Sequence, residues 1–192
     1  MSFKDLPIMK DKKKGVLLFY PYVSKKTPLN IKKKLSGRWL GQGPMVDKFE
    51  NDFKKKFAKK CSVIATGSGT DSLHLAYILA GLKRGDEVIT TIFTCTATNI
   101  PMLYMDLKIK FADIERETMN ISIDSVKKLI TRKTKAIVCV HYGGLPCNMD
   151  ALQKICKKKK IILIEDAAHA LGAKYRKKPI GSISDFSTFS FQ

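Results

Sequence analysis

The sequence lacks any CxxC pair of cysteines, and it lacks a long apolar stretch near its N-terminus. Its cysteines are odd in number and widely spaced, which is typical of reduced thiols and excludes a disulfide framework or a zinc site of the usual spacing. The N-terminal apolar run, residues 16–20, stops at Pro21 and has no signal-peptide cleavage pattern. We therefore predict a cytoplasmic protein without a membrane segment or bound metal. The five cysteines are Cys61, Cys95, Cys139, Cys147 and Cys156.

Acidic residues are scarce, since 36 Lys and Arg face 17 Asp and Glu and leave a net charge of +19. Such a balance alone suggests nucleic acid or an acidic substrate as a partner. The lysines, however, occur in short runs along the chain, without interleaved aromatic residues. This distribution favours a solvated lysine-rich surface over a polyanion-binding patch, so nucleic acid is not the predicted partner. The runs are Lys12–Lys14, Lys32–Lys34, Lys54–Lys56 and Lys157–Lys160.

Predicted strands and helices alternate along most of the chain. Helical spacing of apolar residues from Val46 to Phe57 begins the series, and further helices are predicted at 71–81, up to Tyr104, at 122–131 and at 149–158. This alternation indicates parallel βαβ units and an α/β fold, and 192 residues with 44% hydrophobic content can form one substantial core. The predicted strands are 62–66, 87–91, 109–114, 136–141, 161–166 and 185–191.

The stretch "GSGTDS" joins a predicted strand to a predicted helix. The free N–H groups in the first turn of a helix bind phosphate well, and Ser68 and Thr70 could add hydroxyl donors. An ordinary Gly-Ser turn is the alternative, because the stretch is neither a Walker A loop nor GxGxxG. The Asp71 side chain is expected to face outward, with only its N–H offered to a ligand.

The stretch "IILIEDAAHA" ends a predicted buried strand in Glu165 and Asp166, with His169 three residues later. Ligands of parallel sheets gather beyond the carboxyl ends of the strands. Three interpretations stay open: acids that cap a helix, with His169 hydrogen-bonded in the core; a metal site of Asp166, His169 and His141, which lacks a fourth ligand; and a carboxylate that keeps the pyridine nitrogen of a cofactor protonated.

Several motifs, in order, resemble the DegT/StrS family of nucleotide-sugar aminotransferases. They are "LSGRWLGQGPMVDKFE", "GSGTDSLHLA", "GDEVITT", "FTCTATN", "FADIERETMNI", "TKAIVCVHYGGLPCNMDAL", "EDAAHALGA" and "GSISDFSTFSF". The resemblance covers residues 21–192 and implies pyridoxal 5'-phosphate as cofactor. It also implies a three-layer α/β/α fold with a mostly parallel sheet, the large domain of the aspartate-aminotransferase (fold type I) class.

Carried over position by position, the resemblance implies a phosphate site on Gly69, Thr70 and the backbone of Asp71, with a hydroxyl from Ser190. Asp166 would pair with the pyridine nitrogen, and His169 would lie near the phenolic oxygen of the cofactor. Cys95 occupies the position where the family usually has an aromatic residue over the cofactor ring.

The family is about twice the length of this chain. The resemblance therefore implies residues 1–35 as an N-terminal arm and residues 36–192 as an incomplete large domain, without its last strand and the small C-terminal domain. That strand would lie between the predicted strands 185–191 and 62–66, so two unpaired edges that invite aggregation are expected. The lysine that forms the Schiff base is expected just after Gln192, so no catalytic residue is predicted in this chain, which would be inactive alone.

The resemblance implies transfer of an amino group from an amino acid, with glutamate the expected donor, to a nucleotide-linked keto sugar in polysaccharide biosynthesis. The full-length protein is expected to be a homodimer. A sugar dehydratase of the same family, in which histidine replaces the lysine, is the nearest alternative. A catalytically silent fragment or binding protein is the alternative from another class.

Overall fold

The computed structural model describes residues 23–37 and 39–191, and the chain divides into two compact units, residues 1–43 and 44–192. In the first unit the described residues contain one helix, α1 (Thr27–Leu35), which has a proline in its first turn and no buried residue. Proline is tolerated there because the first N–H groups of a helix have no intrahelical partner. Most of the predicted N-terminal arm, residues 1–22, lies outside the described residues.

The second unit alternates helices and strands, as the sequence predicts. Its helices are α2 (Pro44–Phe57), α3 (Gly69–Leu79), α4 (Thr96–Tyr104), α5 (Ile123–Leu129) and α6 (Met149–Lys159), with a 3-10 turn at Tyr142–Gly144. Its strands are β1 (Glu87–Thr91), β2 (Lys108–Ala112), β3 (Thr134–Val140), β4 (Ile162–Asp166), β5 (Lys174–Tyr175), β6 (Lys178–Pro179) and β7 (Phe186–Thr188).

Five strands form one parallel sheet in the order β2-β1-β3-β4-β7, and β5 and β6 form a separate antiparallel pair. Alternate residues of β3 point to opposite faces. Ala136 and Val138 pack with residues of α3 and α4, whereas Ile137 and Cys139 pack with residues of α5 and α6. Strands buried on both faces require near-continuous apolar sequence, which the central strand β3 has. The predicted three-layer α/β/α fold with a parallel sheet is confirmed.

One predicted strand is wrong: residues 62–66 form no strand. A strand needs a neighbouring backbone to pair with, but β7 is paired only with β4, and a cavity of about 510 Å³ is lined by residues 62–69 on one side and 184–191 on the other. Ile64 is 59% exposed, and the Ala65 amide donates instead to the Glu50 side chain at 2.8 Å. Within the described residues, the outer edge of β7 is therefore unpaired.

The lysine runs at the ends of α2 and α6 are exposed. They lie at the negative ends of the helix dipoles, where a positive charge is favourable, so these runs need no polyanion to account for them. Among the described residues, no helix combines the length and the apolar character that crossing a membrane requires.

Candidate functional site

Glu165 and Asp166 are both buried at the end of β4, and they make separate sets of contacts. Asp166 contacts the start of α4, whereas Glu165 contacts the residues before and within β7 and the end of β3. Neighbouring residues of a strand point to opposite faces of a sheet, so adjacent carboxylates can serve different purposes. The two acids in "IILIED" therefore belong to two different networks.

Thr98 holds the Asp166 carboxylate. Its hydroxyl donates to Asp166 Oδ2 at 2.6 Å, and the Ala168 amide donates to Asp166 Oδ1 at 3.1 Å. Tyr77 lies close by and donates to the Thr98 carbonyl oxygen at 2.8 Å, and burial together with the charge of Asp166 raises the pKa of Tyr77 well above its ordinary value. A carboxylate has room for about four hydrogen bonds, so Asp166 can accept another donor.

The predicted phosphate site lies at the first turn of α3. Ser68 caps the helix, and its hydroxyl accepts from the Asp71 amide at 3.1 Å, so that amide already has a partner. The Asp71 side chain is exposed, as expected. A Cβ added to Gly69 would lie 3.2 Å from Ser190 Cβ, which shows that Ser190 approaches the helix start closely because position 69 has no side chain.

The strand register connects the two groups. Asp166 of β4 is paired with Thr188 of β7, and Ser190 follows two residues later, beside Gly69. The buried carboxylate and the N-terminus of α3 therefore lie at the same carboxyl edge of the sheet, one strand apart. This arrangement is compatible with a single elongated ligand that has an anionic end and a basic ring nitrogen.

His169 is exposed and is not a core residue, which corrects the interpretation of a hydrogen-bonded core histidine. Its Nδ1 accepts from the Gly143 amide at 3.3 Å. Cys95 is exposed at the start of α4 and has no capping hydrogen bond. Two aromatic rings that the sequence did not single out, Phe93 and Tyr142, pack 4.7 Å apart beside His169.

The metal site considered from the sequence, with Asp166, His169 and His141, is not brought together. His141 is fully buried, and its Nε2 is 2.8 Å from Glu165 Oε2. Instead, the described residues contain one group of three metal-ligating side chains, Cys139, His141 and Cys147, whose ligand atoms lie within 4.8 Å of one another. The cysteine count alone gave no signal for it, because the three residues follow no metal-binding spacing.

The chain has the fold of the large domain of pyridoxal-phosphate aminotransferases, and solved sugar aminotransferases match it closely. Spr1654 of Streptococcus pneumoniae, described as a sugar aminotransferase and solved in PLP, PMP and apo forms, matches with a TM-score of 0.85 at 28% identity over 90% of this chain and 47% of that chain. The dehydratase ColD, solved with bound GDP-perosamine, matches with a TM-score of 0.79 at 32% identity over 84% of this chain and 43% of that chain.

The sequence matches the DegT/DnrJ/EryC1/StrS aminotransferase family over residues 22–192, and the chain belongs to that family. The spore coat polysaccharide biosynthesis protein SpsC of Bacillus subtilis is 37% identical over 171 residues, which are 89% of this chain and 44% of SpsC. The GDP-perosamine synthase of Vibrio cholerae is 37% identical over 156 residues, 81% of this chain and 42% of that protein. The chain spans less than half the length of these relatives.

Proposed function

We propose that the full-length protein that carries this chain is a pyridoxal-phosphate aminotransferase acting on a nucleotide-linked keto sugar. An amino acid, with glutamate the expected donor, would supply the amino group. Membership of the family supports the reaction class. The relative named for GDP-perosamine synthesis and the ColD structure with bound GDP-perosamine support a nucleotide sugar as the acceptor.

One observation carries the proposal: the buried Asp166 carboxylate and the Gly69–Ser190 contact lie at the same edge of the sheet, on neighbouring strands. Pyridoxal phosphate supplies an electron sink, because its protonated ring withdraws electrons from the substrate carbon. Asp166 would hold the proton on the ring nitrogen, since a nearby negative charge favours the protonated form. Thr98 would fix the orientation of the carboxylate through its 2.6 Å hydrogen bond.

Gly69, Thr70 and Ser190 would bind the cofactor phosphate through the unpaired amides of the helix start and through hydroxyl groups. The Asp71 amide would join them only if Ser68 released its 3.1 Å capping bond. His169 would lie near the phenolic oxygen. Cys95 would contact the ring less extensively than an aromatic residue, and the neighbouring pair Phe93 and Tyr142 offers the missing aromatic surface.

We expect Gly69→Ala to weaken cofactor binding by about 10-fold or more, because the new Cβ would press on Ser190 at 3.2 Å and widen the phosphate site. Fluorescence titration of the apoenzyme with pyridoxal phosphate measures the change. Gly41→Ala is the matched control, since a Cβ there would meet nothing within 4 Å. Equal affinity in both variants would remove Gly69 from the proposed phosphate site.

The open edge of β7 and the cavity of about 510 Å³ beside it would be filled by a further strand of the full-length protein. A strand there could pair with β7 and with residues 62–66, which form no strand in this structure. The catalytic lysine would follow this region of the chain, and the active protein would be a homodimer. Residues 36–192 would then form most of the cofactor-binding domain, preceded by an arm of residues 1–35.

A second candidate is a sugar dehydratase, which the likeness to ColD favours. The two reactions differ in the fate of nitrogen, so one experiment separates them. The full-length protein, loaded with pyridoxal phosphate, is incubated with ¹⁵N-labelled glutamate and with GDP-4-keto-6-deoxymannose. The mass of the sugar product is then measured by mass spectrometry. An aminotransferase places the heavy nitrogen in the sugar, whereas a dehydratase removes water and leaves no nitrogen. If neither GDP-linked nor TDP-linked keto sugars are converted, both candidate functions are contradicted.

A further inference from the structure

Two buried thiols and a buried imidazole meet on the side of the sheet covered by α5 and α6. Cys139 and His141 are two residues apart at the end of β3, so they point to the same face, and Cys147 lies on the loop that returns to α6. All three are at most 1% exposed. Their ligand atoms lie within 4.8 Å of one another, close to the separations expected around one ion with bonds of about 2.0 to 2.3 Å.

Glu165 orients the histidine as an outer partner orients a metal ligand. Its Oε2 lies 2.8 Å from His141 Nε2, and its other oxygen accepts from the hydroxyls of Ser184 at 2.5 Å and Ser187 at 3.0 Å. The Cys147 amide donates to His141 Nδ1 at 3.1 Å, so Nδ1 carries a lone pair and no proton. In this geometry Nε2 donates to Glu165, and the Nδ1 lone pair is directed toward Cys147, where it accepts from the amide; this is the tautomer that metal-ligating histidines adopt.

We propose that Cys139, Cys147 and Nδ1 of His141 form a binding site for one thiophilic metal ion, Zn²⁺ or Cu⁺, separate from the proposed cofactor site. Thiolate and imidazole ligands select these ions over the hard cations that prefer oxygen. Asp166 and the start of α3 contribute nothing to the cluster, so this site does not depend on the proposed aminotransferase function.

Binding would be a ligand exchange without electron transfer. In the metal-free protein the Cys147 thiol lies 3.1 Å from the Val140 carbonyl oxygen and can donate to it. On binding, two S–H protons would leave to solvent, each sulfur would give a lone pair to the ion, and His141 Nδ1 would exchange the Cys147 N–H for the ion. Zn²⁺ with two thiolates is electrically neutral, which suits a buried site, but it would need a fourth ligand, whereas Cu⁺ matches a set of three ligands.

The loop between His141 and Cys147 provides a route of entry. Gly143 and Gly144 have positive φ angles of 58° and 84°, which glycine adopts without strain, and Gly143 is exposed. Movement of this loop would separate Cys147 from Cys139 and His141, because Cys139 lies in β3 and His141 directly follows the strand. An ion could then reach the cluster without disruption of the sheet.

Competition with chromophoric chelators tests the site. The full-length protein is stripped of metal, reduced under anaerobic conditions and titrated separately with Zn²⁺ and with Cu⁺, in the absence of pyridoxal phosphate. One ion per chain is expected, and Cys139→Ser and Cys147→Ser should each weaken binding more than about 100-fold. Cys156 is a buried thiol of the same core that lies outside the cluster, so Cys156→Ser should retain the wild-type affinity.

X-ray absorption of the wild-type protein loaded with the bound ion provides a second measurement that needs no variant. Two sulfur ligands and at least one nitrogen ligand support the site. The proposal is overturned if neither ion binds at one per chain, if binding survives both serine variants, or if the spectrum lacks the two sulfurs. A Cys139–Cys147 disulfide in protein taken directly from cells would also overturn it. None of these readouts depends on aminotransferase activity.

Discussion

Replacing Asp166 by alanine in the full-length protein is expected to lower kcat about 100- to 1000-fold, because removing one electrostatically stabilising group from a buried active site typically costs that much. Without the carboxylate, the cofactor ring nitrogen would lose its proton, and the ring would withdraw electrons weakly from the substrate carbon. The exposed fraction of Asp166 is only 5%, so the carboxylate acts in a site that is largely shielded from water. Turnover of glutamate and keto sugar under saturating cofactor measures the effect.

Asp166→Asn separates charge from shape. Asparagine can still accept from Thr98 or Ala168, so it should keep the fold, as judged by circular dichroism, while losing activity nearly as completely as alanine does. Asp124→Ala, at an exposed aspartate of α5, is the matched control and should leave kcat unchanged. Activity of Asp166→Asn close to that of the wild type would exclude Asp166 as the partner of the ring nitrogen.

The alternation of strands and helices was predictable because the central strands of the parallel sheet, β3 and β4, are buried on both faces and largely apolar. The apolar run 161–164 and the helical spacing in α6 leave little choice of structure, and the observed strand ends differ from the predicted ones by at most three residues. The prediction of a strand at residues 62–66 was wrong for a different reason. Their composition suits a strand, but a strand also needs a partner backbone, and composition carries no information about what lies beside it.

The parts of the candidate site that lie at the end of a strand or at the start of a helix were predictable from the sequence. Asp166 and Gly69 could be selected from "IILIED" and "GSGTDS" because strand ends and helix starts are defined locally. Thr98 could not, since its hydrogen bond with Asp166 joins residues 68 positions apart. The cluster of Cys139, His141 and Cys147 could not be predicted either, because the conformation of the loop between β3 and α6 determines the position of Cys147.

Glu165→Ala is expected to destabilise the protein by at least about 3 kcal/mol, because each buried donor left without its acceptor costs about 1–3 kcal/mol. The carboxylate is fully buried and has partners in three residues, so its loss leaves the His141 ring and the hydroxyls of Ser184 and Ser187 without their acceptor. Urea denaturation of the full-length protein measures the free energy of unfolding. Glu117→Ala, at an exposed glutamate, should change it by less than about 0.5 kcal/mol.

The same network predicts a pH dependence of stability. Burial would raise the pKa of Glu165, but hydrogen bonds from His141, Ser184 and Ser187 outweigh burial and lower the pKa below its ordinary value of 4.5. A lowered pKa in the folded state stabilises the protein above pH 4.5, and that contribution is lost as the pH falls further toward the folded-state pKa. The wild-type free energy of unfolding should therefore fall more steeply below pH 4.5 than that of Glu165→Gln. If the free energy of unfolding depends on pH in the same way in both proteins, the charge of Glu165 does not stabilise the fold.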